Sequence, residues 1–299
     1  VSATALALIL VAAVAHATWN LFSKQASAAG ASSFVWLMSL TATGLYAPVV
    51  AVSVLLSPPQ LTLLDWVFMV GTGFLQVGYF LFLQTGYRLG DLSLVYPLGR
   101  GSGALLAALA GITLLGERPG PAGITGIVLV VLGVLILGAP GRGGDSTAPP
   151  QPGTPASPRL SRAIVFALVT GTFIASYTLW DKYAVSTLKV PPLIQGYASL
   201  PVMAVVLAPS ALRQLSRTKR VWSSYRRQVT GAAVLSPLAY ILVLIAMSFT
   251  AVSAVAPARE VSVLAGVLLG RRLLGEGGLA RRLTAAAAIA AGIICIAIG

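Results

Sequence analysis

Three ionisable residues stand inside long apolar runs of this sequence: Arg100, Arg259 and Glu260. At membrane depth each costs on the order of 2.5–3.5 kcal/mol by insertion scales, so each needs a partner, water or a purpose. Two guanidinium groups meeting in one cavity would bind a carboxylate or phosphate through paired N–H donors. Glu260 would then hold a substrate amine or carry a coupled proton. The bland alternative is a structural ion pair, in which Glu260 neutralises one arginine and no ligand is involved. Two arginines against one glutamate favour an anionic or zwitterionic ligand over a cationic one.

A second polar group lies nearer the start. His16, Asn20 and Lys24 are spaced i, i+4, i+8 and share one helix face. His16 and Asn20 are the only histidine and the only asparagine in the chain. A polar stripe on an apolar helix faces a bundle interior or water. His16 titrates in the range where a proton can be coupled to transport, although a histidine bonded to a neighbouring helix would read the same way. Lys24 sits near the end of its segment and snorkels. Trp19, Gln76, Gln84, Tyr79, Tyr96, Tyr177, Trp180 and Tyr240 would add hydrogen bonds and stacking surface to a central cavity, each against the alternative of packing or interfacial anchoring. The substrate-binding set read from the sequence is Arg100, Arg259, Glu260, Trp19, Asn20, Gln76, Tyr79, Tyr96 and Tyr240, with His16 and Glu260 as proton carriers.

The elements that hold these residues are membrane-spanning helices. Hydrophobic residues make up 57% of the 299 positions and charged residues 9%, against about 25% charged in soluble domains. Apolar runs near twenty residues recur, each long enough for a hydrocarbon core about 30 Å thick. Length and punctuation place ten spans, at 3–24, 33–56, 64–87, 91–114, 121–139, 162–184, 192–210, 229–248, 251–270 and 282–298. Residues 140–161 are rich in Pro, Gly, Ser and Thr and read as a flexible linker between halves 1–139 and 162–299.

The halves resemble each other. Ala17-Thr-Trp-Asn-Leu-Phe-Ser-Lys24 lines up with Ala175-Ser-Tyr-Thr-Leu-Trp-Asp-Lys182. Ser93-Leu-Val95-Tyr-Pro97 matches Ser253-Ala-Val255-Ala-Pro257, and Leu114-Leu-Gly-Glu117 matches Leu273-Leu-Gly-Glu276. On this alignment Arg100 and Arg259 are near-equivalent. Small-residue ridges run through both spans: Gly99, Gly103, Ala107 and Gly111 in the fourth, and Ala254, Ala258, Ser262, Gly266 and Gly270 in the ninth. An odd number of spans per half sends the halves into the membrane in opposite directions, so the expected fold is an all-α integral membrane protein of ten transmembrane helices in two inverted five-helix repeats.

The Ala-Thr-Trp-Asn-x-x-x-Lys stretch, the Ser-x-Val-x-Pro starts and the Leu-Leu-Gly-Glu endings resemble the EamA family of the drug/metabolite transporter superfamily. The resemblance covers nearly the whole chain as two EamA-type repeats. It implies a ten-helix fold and secondary active export or exchange of small metabolites, amino acids among them, by alternating access. It leaves the substrate unassigned.

Other classes fit less well. The net charge of +13 is carried mostly by connections between apolar runs, where lipid headgroups account for it, and no nucleic acid is expected. The run Arg213 to Arg227, with Trp222 and Tyr225, reads as a loop lying on anionic headgroups. One cysteine, Cys295, excludes an intrachain disulfide, and one histidine excludes an ordinary zinc cluster. No ATP-binding Gly-x-x-x-x-Gly-Lys-Ser/Thr occurs, so no cofactor is expected and energy comes from an ion gradient or exchange. A membrane-embedded enzyme lacks a nucleophile or metal constellation, while a lipid translocase stays an alternative. A signal peptide is not expected at residues 2–17, because no basic residue precedes the apolar stretch. The setting is a multi-pass cell (inner) membrane protein, and a homodimer stays open. Counting Lys and Arg by loop puts both termini outside the cytoplasm. The family resemblance implies the reverse.

Overall fold

The computed structural model describes residues 1–89, 92–138, 158–262 and 279–298. Among the described residues the secondary structure is all helical. The helices are α1 (Ala3–Leu56), α2 (Leu63–Leu89), α3 (Leu92–Leu114), α4 (Pro121–Gly138), α5 (Pro158–Ser186), α6 (Pro192–Arg213), α7 (Leu215–Phe249), α8 (Val252–Ala258) and α9 (Leu279–Ile298). Their starts are written in the sequence. Three helices open on proline, whose fixed φ and missing N–H cost nothing in a first turn. Ser2 accepts the Ala5 N–H at 3.2 Å ahead of α1. Ahead of α2, Asp65 accepts from the Thr62 N–H at 2.7 Å while the Thr62 hydroxyl lies 3.4 Å from the Asp65 N–H, a reciprocal cap.

Among the described residues, six segments are long and apolar enough to cross a membrane: Ala3–Ser23, Ser32–Leu56, Leu63–Gly86, Ser161–Ser186, Pro192–Arg213 and Leu215–Phe249. Leu98–Leu114, Pro121–Ile136 and Ala287–Ile296 are shorter apolar helices. The expected ninth span, 251–270, is described only through residue 262, so Gly266, Gly270 and Glu276 lie outside the described residues, as does most of the expected linker. The first and second spans are two apolar helices, as expected, joined without a loop across a kink at Gly30, where φ is 151°. A left-handed backbone suits glycine, and the Arg217 side chain packs against the bare Cα: a Cβ there would stand 2.9 Å from Arg217 Nε. The basic stretch expected as a loop is instead helical, continuing α7 across a non-helical residue at Tyr225. Its Thr218 and Val221 are buried, and Thr218 pairs with Ser33 at 2.9 Å. Those contacts give it an inner face, and a helix satisfies its backbone where a loop would not.

Apolar side chains cover the outside, with Val11, Val14, Val52, Phe74 and Val205 more than half exposed. Polar groups such as Arg100, Asp181, Gln195 and Glu260 are buried, the arrangement expected when the solvent is lipid. The two halves do not keep separate cores. Helix α1 packs on α6 and α7, α2 and α3 pack on α5, and α4 packs on α9. One buried cluster joins Ala5, Ile9 and Ala12 of α1 to Val243 and Met247 of α7 and Val255 of α8. The close crossings use the glycines. On α3, a Cβ at Gly103 would stand 2.8 Å from Ile174 of α5, and one at Gly171 of α5 would stand 3.0 Å from the backbone of Gly99 and Gly103. The ridge on α3 therefore seats α5, while its last member, Gly111, faces Glu117 and Val252.

Candidate functional site

A cavity lies where the two halves meet. His16 and Trp19 of α1, Gln76 and Tyr79 of α2, and Arg100 of α3 come from the first half. Tyr177 of α5, Ser199 of α6, Tyr240 of α7 and Arg259 just past α8 come from the second. Met38, Phe80, Leu200, Met203 and Val243 supply apolar wall. Aromatic rings run around it, Tyr79 to Tyr177 at 5.9 Å and Tyr177 to Tyr240 at 6.2 Å between centroids, both edge to face. Eight of the residues singled out from the sequence thus share one wall: His16, Trp19, Gln76, Tyr79, Arg100, Tyr177, Tyr240 and Arg259.

The charges are not equivalent. Arg100 and Glu260 form a two-pronged ion pair, Nη2 to Oε1 at 2.9 Å and Nε to Oε2 at 3.2 Å, both side chains almost wholly buried. Of the two, Arg100 lines the cavity and Glu260 is not part of its wall. Arg259 reaches the cavity and has no ion-pair partner among the described residues. Both Glu260 oxygens are taken by Arg100, so Arg259 brings to the cavity a positive charge with no ion pair of its own among the described residues.

His16 is held in one tautomer. The Trp19 indole N–H donates to His16 Nδ1 at 3.1 Å, so Nδ1 is an acceptor and the neutral ring carries its proton on Nε2. That Nε2 is buried without a hydrogen-bond partner among the described residues. It is a donor on a side chain that lines the cavity together with Arg100 and Arg259. Protonating Nδ1 would set two N–H donors against each other, so this bond belongs to the neutral ring. Asn20 is turned away: its Nδ2 donates to the His16 carbonyl at 2.8 Å, and it does not line the cavity. The Tyr96 and Lys24 side chains lie outside the described residues.

Sequence reasoning passed over Asp181. It is the sole acidic residue in 162–184 and stands near the end of that span, where an interfacial position looks sufficient. In the structure it is fully buried. Tyr240 donates its hydroxyl to Oδ2, and Gln195 Nε2 donates to Oδ1 at 3.0 Å with the Thr72 hydroxyl alongside. No cation pairs with it among the described residues. The motif residues shared by the two halves proved structural where they are described. Lys182 Nζ donates to the Met247 and Thr250 carbonyls at 2.9 and 2.8 Å, closing the end of α7. Glu117 accepts the Val252 and Ser253 N–H groups at 2.7 and 2.8 Å, opening α8.

Comparison with known proteins agrees with this architecture. A solved crystal structure, described only as that of a protein, is similar over 100% of this chain and 98% of its own, with a TM-score of 0.74 at 16% identity. At that identity the likeness shows the fold alone. Among curated protein sequences, none matches. The profile of the EamA-like transporter family matches residues 3–139, ending where the expected linker begins. Over those residues the chain is similar to the EamA-like transporter family, part of the drug/metabolite transporter superfamily.

Proposed function

We propose that this protein is a secondary transporter of a small metabolite bearing a carboxylate, anionic or zwitterionic, in a cell membrane. The observation that carries this reading is Arg259: a buried guanidinium with no ion-pair partner among the described residues, opening on a cavity walled by both halves. Its charge is matched by an anion, and the orphan His16 Nε2–H offers that anion a further donor. Tyr79, Tyr177, Tyr240 and Trp19 suit an apolar or aromatic remainder. Arg100 is set aside as a ligand group, since Glu260 already takes its paired donors. Alternating access supplies the mechanism: two packed halves rock about the cavity and expose it to each side in turn.

Thermal stability of purified protein, screened against anionic, zwitterionic and cationic metabolites, tests the reading. A ligand present at one hundred times its dissociation constant stabilises by about 2.7 kcal/mol. One carboxylate-bearing class should raise the melting temperature. Arg259→Ala should weaken that binding at least about thirtyfold, or about 2 kcal/mol, while leaving the unliganded melting temperature close to wild type. Stabilisation by cations, or by ligands indifferent to Arg259→Ala, would sink the reading.

A further inference from the structure

We propose that Asp181 is a proton-binding site, linked to the central cavity through Tyr240 and Arg259. Its coupling to transport rests on the reading above; its titration does not.

The geometry is unusual for a carboxylate at this depth. Asp181 is fully buried, yet every group bonded to it is neutral: Tyr240 from α7, Thr72 from α2 and Gln195 from α6. An ionised acid held only by neutral donors is costly in such a place, whereas one that alternates between ionised and neutral is not. Lys182, the next residue, is turned to the carbonyls ending α7 and gives it no charge. Among the described residues, helices α2 and α6 present no titratable group to it. From α7 it meets Tyr240, and from the end of α8 the field of Arg259 reaches it.

The surrounding bonds accept either state. The single hydrogen of Thr72 has two acceptors in reach, the Phe68 carbonyl at 3.0 Å and Asp181 Oδ1 at 2.5 Å. With Asp181 ionised, Thr72 donates to the carboxylate. With a proton on Oδ1, the acid donates to Thr72 Oγ1 and the threonine hydrogen turns to Phe68. Gln195 Nε2, 2.9 Å from Thr72 Oγ1 and 3.0 Å from Oδ1, serves in both arrangements. One hydroxyl rotation exchanges them, with no heavy atom moved. Gln195 Oε1 is buried and has no partner among the described residues, leaving an acceptor beside the acid for an arriving proton or its water. Asp181 lies five residues before the end of α5 at Ser186, about 7 Å from that face of the bundle by helical rise.

The link to the cavity runs two ways. Tyr240 lines the cavity and bonds Asp181 with the same side chain. Arg259 lines the same cavity as Tyr240, so an anion seated on it screens its positive charge and favours the protonated acid. Proton and anion then bind together, by reciprocal linkage.

Infrared difference titration in neutral-lipid vesicles tests this without any substrate. In wild type, the carbonyl stretch of one protonated carboxyl group should appear on acidification and shift in heavy water. Asp181→Asn should abolish it and Glu260→Gln should keep it. Tyr240→Phe should move its midpoint, and Arg259→Ala should make protonation easier. These two variants keep the test decisive if Asp181→Asn does not fold. The assignment is overturned by an Asp181 that stays in one state across the folded pH range, or by a midpoint indifferent to both variants. A midpoint that follows sodium rather than pH would overturn it in favour of a metal-cation site. A working titration alongside failed metabolite binding would count against the carboxylate-substrate reading alone.

Discussion

Two of the carboxylates buried in this bundle, Glu260 and Asp181, are kept there by opposite means. Glu260 faces a guanidinium, with both its oxygens engaged by Arg100. Asp181 faces a phenol, an alcohol and an amide. The first arrangement fixes charge, because each ion is the condition for the other. The second tolerates a change of charge, because its donors can reverse or wait. Depth is the same problem for both, and the chemistry of the nearest donor decides whether a buried acid is a rivet or a switch.

The largest expected effect tests that contrast directly. Glu260→Ala leaves Arg100 buried and unpaired, a loss of about 3–5 kcal/mol. Replacing both partners together, Arg100→Met with Glu260→Leu, should recover most of it. Asp181→Asn keeps the polar shape and should cost only about 1 kcal/mol, the scale of one hydrogen bond. Thermal melts of the four proteins in one detergent give the ranking, and equal losses at Glu260 and Asp181 would erase the distinction. Next comes Gly171→Ala. Helices α3 and α5 carry Arg100 and Asp181, and a Cβ on Gly171 would stand 3.0 Å from backbone atoms of Gly99 and Gly103. Backbone cannot swing aside as a side-chain tip can, so overpacking should cost about 1–3 kcal/mol. It should disturb both sites together, seen as a lower melting temperature and weaker ligand stabilisation in the same protein. The smallest effect sharpens the comparison with a third carboxylate. Glu117 is bonded to two backbone N–H groups, so Glu117→Ala should cost about 1 kcal/mol as a lost helix cap. Unlike Asp181→Asn, it should leave the titrating carboxyl band untouched.

Much of this could be read from residue order. The polar lining was legible because polarity inside an apolar helix needs a reason, and His16, Gln76, Arg100, Tyr240 and Arg259 all met at one cavity. Asp181 was harder to see: near the end of a span, hydropathy alone cannot separate an interfacial acid from a buried one. The fate of Asn20 was also hidden, since a shared helix face says nothing of whether an amide will bond its own helix. Lys182 and Glu117 stood out as repeated motifs, yet their repetition marked helix ends rather than ligand contacts.

What the sequence determined by itself is therefore the class and the inventory. Composition makes lipid the solvent, prolines and small polar residues set helix starts, and the few buried charges are countable in advance. Which charges pair was decided only by tertiary structure. Arg100 and Glu260 are separated by 160 positions, and Asp181 and Thr72 by 109. Only the crossing of α3, α5 and α8 determines that Glu260 reaches Arg100 while Arg259, its neighbour in sequence, faces the cavity. The physical reason is that an ion pair or hydrogen bond depends on distances of about 3 Å, and only the packing of helices from both halves sets distances on that scale.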